Sequence, residues 1–234
     1  MNIQNLAMKF QIEETAVCDG AEDRFFRICS FDLAEAGQRK MEQAAFRVRT
    51  HLQERMDIRA TVRFWDRPVL TNTQLQLDDV TLCCDAFSRI PAGAVKGVFA
   101  YLLTIGDTDM EGEVSIMTEL YHDVWGTAYV ESVMDVLRSR LLQVLPEENM
   151  HFSESFGPGY YGMAMEEGQK IFSLLDGDSI GVTQKRSGLL TPEKSCLGLI
   201  LVYDRNNIKL PAACETCLGT KGGCRFCDKN VQRN

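Results

Sequence analysis

The sequence from Ser153 to Leu201 reads SESFGPGYYGMAMEEGQKIFSLLDGDSIGVTQKRSGLLTPEKSCLGLIL. Its head is a glycine-rich turn, Gly157-Pro158-Gly159-Tyr160-Tyr161-Gly162, and a helix-like run from Met165 to Leu175 follows. The apolar segment from Cys196 to Tyr203 predicts a strand. Glycine permits positive φ and lets a ligand approach the main chain, while proline fixes φ. The regular order of turn, helix and strand argues against a linker, and the turn is a candidate ligand-binding loop.

The composition is that of an ordinary globular domain. Of the 234 residues, 45% are apolar and 25% are charged, so a sizeable core is available. The net charge is −8, from 25 basic and 33 acidic residues, which disfavours general binding of nucleic acid. No run of 18 apolar residues predicts a membrane span, and the first residues do not resemble a signal peptide. We therefore expect a cytoplasmic protein whose nine cysteines are thiols or metal thiolates.

Hydrophobic patterning elsewhere predicts a mixture of helices and strands. Residues 1–22 are expected to be irregular or an edge segment. Helices are predicted at Phe31 to about Glu54 and at Tyr121–Leu145, the latter stopped by Pro146. Strands or extended chain are predicted at Ala60–Trp65, Val69-Leu70 and Val80–Cys84, and Val95–Ile105 is long enough to be either strand or helix. This pattern alone gives only a mixed α/β class.

The last 25 residues, from Leu210, are rich in cysteine and glycine. They hold two CxxC pairs, formed by Cys214, Cys217, Cys224 and Cys227. Four thiolates at this spacing suit tetrahedral zinc and equally suit an iron–sulfur cluster. Free thiols or paired disulfides are the alternative. The other five cysteines lack metal spacing and are interpreted as small buried hydrophobic residues: Cys18, Cys29, Cys83, Cys84 and Cys196.

Glu131 lies on the polar side of the predicted helix that carries Trp125 and Tyr129. Such a carboxylate is ordinarily part of a solvated helix face. The alternative is that it contacts a cationic or hydroxylated ligand.

From about Val95 to Tyr203 the sequence resembles the activation domain of cobalamin-dependent methionine synthase, which binds S-adenosylmethionine. The resemblance begins with the Pro158-Gly159-Tyr160 turn and the helix containing Gln169. It continues through Ile180-Gly181 and the loop around Pro192 that leads into Ser195 and the apolar strand. It implies an α+β fold with a bent, largely antiparallel sheet flanked by helices. Residues 1–209 would form this domain, with the cysteine tail, 210–234, at its edge.

The resemblance also implies a function. Such a domain holds S-adenosylmethionine for the reductive reactivation of a corrinoid that a partner protein supplies, with an electron from a donor protein. The cofactor-binding residues would be Glu131, which falls on the ligand-contacting position of the family helix, and residues of the turn: Gly157, Pro158, Gly159, Tyr160 and Tyr161. Backbone groups of the turn would hold the ligand, and one of the two tyrosines would cover the corrin or the adenine. An iron–sulfur cluster in the tail could relay the electron.

The sequence departs from the family in three respects. Ser155 occupies the position of an arginine that holds the ligand's carboxylate, and Lys185 or Arg186 is a candidate replacement cation. The DxHxxG motif that binds cobalamin is absent, and so are the barrel domains for homocysteine and folate. The chain is therefore interpreted as a freestanding activation-like domain. The alternatives are a non-catalytic ligand-binding or scaffold protein with a zinc-stabilised tail, and a corrinoid methyltransferase component that itself binds the cofactor.

Overall fold

The structure is a computed structural model that describes residues 7–91, 93–110, 112, 115–145 and 150–204. Its longer helices and its strands are, in chain order, β1 (Ala7–Gln11), α1 (Cys18–Ile28), α2 (Ala36–Arg55), β2 (Arg59–Asp66), β3 (Val69–Thr71), β4 (Gln74–Leu77), β5 (Val80–Cys83), β6 (Val95–Thr104), α3 (Ile116–Val144), β7 (Met150–Phe156), α4 (Glu167–Ser173), β8 (Thr183–Gln184), β9 (Leu190–Thr191) and β10 (Ser195–Asp204).

The main sheet has five strands in the order β1-β2-β6-β10-β7, and every pairing in it is antiparallel. A second sheet, β3-β4-β5, and a small hairpin, β8-β9, complete the described strands. The expected α+β fold, with a largely antiparallel sheet flanked by helices, is confirmed. The anticipated boundary at residue 209 and the four tail cysteines lie outside the described residues.

The two central strands are covered on both faces. Phe99, Tyr101 and Leu103 of β6 point into a core shared with α1, α2 and α3. Val98 and Ala100 point to the other face, into a core shared with the β3-β4-β5 sheet and α4. A strand that is buried on both faces has a continuous apolar sequence. The sequence of β6 therefore lacks the apolar–polar alternation that would distinguish a strand from a buried helix.

The helical layer is organised around α3. Ser115 caps this helix, because its side chain accepts a hydrogen bond from the Thr118 N–H at 3.2 Å. Trp125 is fully buried and its ring stacks on Phe25 of α1 with the centroids 3.8 Å apart. Its indole N–H donates to the Ala45 carbonyl of α2 at 3.0 Å. One side chain thus joins all three helices.

The prediction for residues 1–22 was partly wrong. β1 is an edge strand, as expected, but residues from Cys18 onward form α1. Gly20 lowers the helix propensity of this segment, yet α1 requires it, since a Cβ there would lie 2.5 Å from the Ser132 hydroxyl of α3. The close approach of two helices therefore overrides local propensity.

The remaining predicted elements are present with small shifts of their ends. In particular, α3 begins five residues before Tyr121. Its first turn carries exposed Ile116, Met117 and Leu120, which do not follow the spacing of the buried face. Among the described residues, no helix has the length and hydropathy needed to cross a membrane.

Candidate functional site

The glycine-rich turn follows β7 directly and is fixed by its own backbone. Gly159 has φ +83° and Gly162 has φ +77°, which glycine adopts without strain. The Tyr160 N–H donates to the Gly157 carbonyl at 3.1 Å, and the Gly159 N–H donates to the Met163 carbonyl at 2.9 Å. The turn is therefore preorganised, and these two N–H groups already have partners.

Pro158 packs the turn against α4. A Cβ on Gly168 would lie 3.0 Å from the proline Cγ, so the glycine at this helical position permits the contact. Met165 lies close to Gly159, where a Cβ would be 3.2 Å from its sulfur. The turn and the start of α4 are thus one packed unit.

The two tyrosines of the turn have different environments. Tyr161 is 4% exposed and its ring lies 4.8 Å from that of Phe156, in the core beneath the sheet. Its carbonyl accepts hydrogen bonds from the Ala86 N–H and the Cys84 thiol. Tyr160 is 67% exposed. Of the pair, Tyr160 is therefore the one whose ring is available to a ligand.

Substitutions at the two tyrosines should separate stability from ligand contact. We expect Tyr161→Leu to lower the free energy of unfolding by about 1 kcal/mol through the lost ring pair alone. Tyr160→Ala should change it by less than about 0.5 kcal/mol, as is usual at exposed positions. Urea denaturation of both variants checks this, and equal losses would contradict the assignment.

Ser155, where the resemblance would place an arginine, points toward the helical layer. Its Oγ lies 2.5 Å from the Tyr101 hydroxyl on β6. The pair sits over Gly198 of β10, where a Cβ would lie 2.8 Å from the Tyr101 oxygen and 3.1 Å from the serine oxygen. The absence of a side chain at Gly198 therefore makes room for a two-hydroxyl pair that bridges β6 and β7.

Tyr101 of this pair and the nearby Cys196 stay uncharged at neutral pH. Burial raises the pKa of Tyr101, and the charge of Cys196 would raise it further. Burial also raises the pKa of the Cys196 thiol to about 12, with a smaller contribution from the Glu131 carboxylate. A thiol with this pKa is protonated and unreactive at neutral pH.

Glu131 projects from the exposed side of α3 and is not alone there. Its carboxylate lies 3.2 Å from Nε of Arg24 on α1. The same guanidinium pairs with Asp135, one turn further along α3. Two carboxylates of α3 are therefore joined through one arginine. The sequence predicted a role for Glu131, and the structure shows that Asp135 pairs with the same guanidinium.

Arg138 holds the edge strand from the helical side. Its Nη2 donates to the Ser153 carbonyl of β7 at 2.8 Å, and its guanidinium lies 5.6 Å from the centroid of the Phe152 ring. Its positive charge acts to lower the pKa of Tyr101, against the dominant effect of burial. No sequence pattern points to Arg138, because the contact depends on how α3 crosses the sheet.

The loop around Pro192 lines an open cavity of about 520 Å³ between residues 106–109 after β6 and the β8-β9 hairpin, where Lys185 contributes. A second cavity of about 510 Å³ adjoins it at the start of α3. Both are bordered by Lys194, whose amine pairs with Asp123 at 2.5 Å and whose stem lies across Gly126. Arg186 is exposed, and its carbonyl accepts a hydrogen bond from Gln169 of α4.

The register of the sheet brings the predicted elements to one end of it. β10 pairs with β7 from Leu199 opposite Phe156 to Asp204 opposite Met150. The turn that follows Phe156 and the loop that precedes Ser195 therefore lie at the same end, and a Cβ on Gly157 would be 3.4 Å from the Leu197 carbonyl. α3 contacts the Pro192 loop through the Asp123–Lys194 pair, and it contacts the middle of β7 through Arg138.

In the part of the chain that the structure describes, no three or more His, Cys, Asp or Glu side chains are grouped so that they could bind a metal ion. Cys84 is buried and its thiol pKa is raised to about 11, while the other four cysteines in this part are half-buried. The expectation of buried thiols thus holds fully for Cys84 and partly for the rest.

Comparisons with known proteins support the fold. No family model matches the sequence, and no curated protein matches it either. Among solved structures, the chain is similar to a crystal structure of the MetH reactivation domain bound to AdoHcy, with a TM-score of 0.68. The match covers 88% of this chain and 81% of that chain at 11% sequence identity. The resemblance read from the sequence is thereby confirmed as a likeness of fold.

Proposed function

We propose that this protein binds S-adenosylmethionine at the turn-bearing end of the sheet and supports the reductive reactivation of a separate corrinoid protein. The observation that carries the proposal is the fold match to a domain whose structure contains AdoHcy, the product left when S-adenosylmethionine loses its methyl group. The protein would act in the cytoplasm, with a corrinoid partner and an electron donor, and without nucleic acid or membrane.

The local chemistry is compatible with such a ligand. Its α-ammonium and sulfonium groups are cations. Glu131 and Asp135 carry carboxylates on the exposed side of α3, where both pair with Arg24, so a bound cation would share them with that guanidinium. Its adenine is a flat aromatic surface, and the exposed ring of Tyr160 is suited to cover it. Gly157 and Gly159 carry no side chains, so at these two positions a ligand can approach the main chain closely.

The proposed task of the domain is placement. Reactivation converts cob(II)alamin to methylcob(III)alamin, which takes one electron from a donor and the methyl group of S-adenosylmethionine, with AdoHcy as the leaving product. The protein has to hold two large ligands in line, which is catalysis by proximity. Cys214, Cys217, Cys224 and Cys227 would carry the electron if they bind an iron–sulfur cluster.

Ligand binding should be visible as thermal stabilisation. At 100 times the dissociation constant, S-adenosylmethionine should stabilise the folded chain by about 2.7 kcal/mol. Differential scanning fluorimetry with S-adenosylmethionine, with AdoHcy and with ATP as a control adenosine ligand measures this. An unchanged unfolding temperature at millimolar S-adenosylmethionine would defeat the proposal.

The alternative is a ligand-binding or scaffold protein with no catalysis and a zinc-stabilised tail, which the serine at position 155 favours. Anaerobic purification with metal analysis distinguishes the two forms of the tail: a cluster gives bound iron and sulfide, and a structural site gives zinc. Cobalamin that copurifies with the chain alone would instead indicate a methyltransferase component.

A further inference from the structure

Arg138 is placed as a free cation beside the hydroxyl pair. Its guanidinium contacts the main chain of β7 at Ser153, two residues before Ser155 on the same strand. Successive residues on one strand rise by about 3.3 Å, so the two serines are separated by about 7 Å. Phe152, Tyr101 and the Ser155 hydroxyl all face the helical side of the sheet, where Arg138 also lies.

The Arg138 guanidinium also has N–H groups without a described hydrogen-bond acceptor. One hydrogen bond from Nη2 accounts for its described polar contacts, whereas an arginine carries several N–H donors in a planar fork. No described carboxylate lies within ion-pair distance of it. Arg24 is held by two carboxylates and Lys194 by Asp123, so those two cations are already neutralised.

Lys185 and Arg186 are in different positions from Arg138. Both lie on the exposed β8-β9 hairpin, and neither side chain is fixed by a described partner. An arginine anchored to a strand is preorganised, so it loses less side-chain entropy when it takes up a carboxylate.

We propose that Arg138 binds the α-carboxylate of the ligand, with the Tyr101–Ser155 hydroxyl pair beside it. This inference rests on the proposed function, because it assigns one part of the ligand to one side chain. In this arrangement the cation, Arg138, is on α3, whereas Ser155 occupies the corresponding position on β7. Arg138 is a binding and specificity residue, since it would discriminate ligands that carry a carboxylate from those that lack one.

The test compares two ligands that differ in this group alone: S-adenosylmethionine and its decarboxylated analogue. Isothermal titration of the full chain should show that Arg138→Met weakens S-adenosylmethionine about tenfold or more, the usual scale for a lost charge-assisted hydrogen bond. The affinity for the decarboxylated analogue should stay within a factor of about two of wild type. Arg138→Lys, which keeps the charge and loses the fork, should recover part of the S-adenosylmethionine affinity.

Arg140→Met is the matched control. Arg140 lies on the same helix and donates to the Gln11 carbonyl at 2.9 Å, on the opposite edge strand. It should leave both affinities unchanged. Equal weakening of both ligands by Arg138→Met, or no weakening of either, overturns the assignment while the proposed function stands. A wild-type chain that binds neither ligand overturns the proposed function itself.

Discussion

Replacing Trp125 with alanine should lower the free energy of unfolding by about 3–5 kcal/mol, the usual cost of deleting a buried large aromatic side chain. The ring stacks on Phe25 at 3.8 Å with an interplanar angle of 5°, and its N–H satisfies the Ala45 carbonyl. The guanidinium of Arg49 also lies 5.1 Å from the ring centroid. The substitution therefore removes contacts to both other helices of the layer at once.

Such a loss is a large share of the total stability of a domain, which is commonly about 5–15 kcal/mol. Urea denaturation followed by circular dichroism measures it, with Leu142→Ala as the control. Leu142 is 46% exposed on the same helix, so its loss should cost less than about 0.5 kcal/mol. A Trp125→Ala variant as stable as the control would show that the three helices are not joined at this point.

The second large effect is expected at Gly198. An alanine Cβ there would lie 2.7 Å from the Phe156 carbonyl oxygen and 2.8 Å from the Tyr101 hydroxyl. The first of these atoms belongs to the backbone of β7, which has to move away from β10. We expect a loss of about 1–3 kcal/mol from overpacking, together with weakened ligand binding because the Tyr101–Ser155 pair is disturbed.

Gly157→Ala is the matched control for this substitution. Its Cβ would lie 3.4 Å from the Leu197 carbonyl, an ordinary contact at the same edge of the sheet. Thermal unfolding and S-adenosylmethionine titration should show Gly198→Ala impaired in both measurements and Gly157→Ala near wild type in stability. The result that contradicts this is an equal loss of stability in the two variants.

The sequence predicted those elements whose stability comes from a regular apolar pattern. The buried face of α3 is readable from Trp125 to Leu141, because its spacing of three and four is unbroken. The start of that helix was not readable, since Ile116 and Leu120 are apolar yet exposed. α1 was missed because Gly20 signals a turn locally, whereas its function is to let two helices touch.

The candidate site was predictable to the extent that it is continuous in sequence. The turn at 157–162 and the loop around Pro192 carry glycine and proline signals that are visible without a structure. Arg138 and Tyr101 carry no such signal. Arg138 meets β7 at Ser153 through the crossing of α3 over the sheet, and Tyr101 meets Ser155 through the strand order. The difference between Tyr160 and Tyr161 was equally hidden, since adjacent residues in a turn point in unrelated directions.

The cavity of about 520 Å³ has walls of different local stability, and the β8-β9 hairpin is the less stable one. Its strands pair through Thr183–Thr191 and Gln184–Leu190, and Leu189 at its tip is 63% exposed, so opening it breaks few contacts. On the other side of the cavity, residues 106–109 follow β6, which is buried along most of its length and opens only when the core does. In hydrogen-exchange terms, the hairpin should exchange through local opening and β6 only through global unfolding. A ligand can therefore enter the cavity on the hairpin side while the main sheet stays intact.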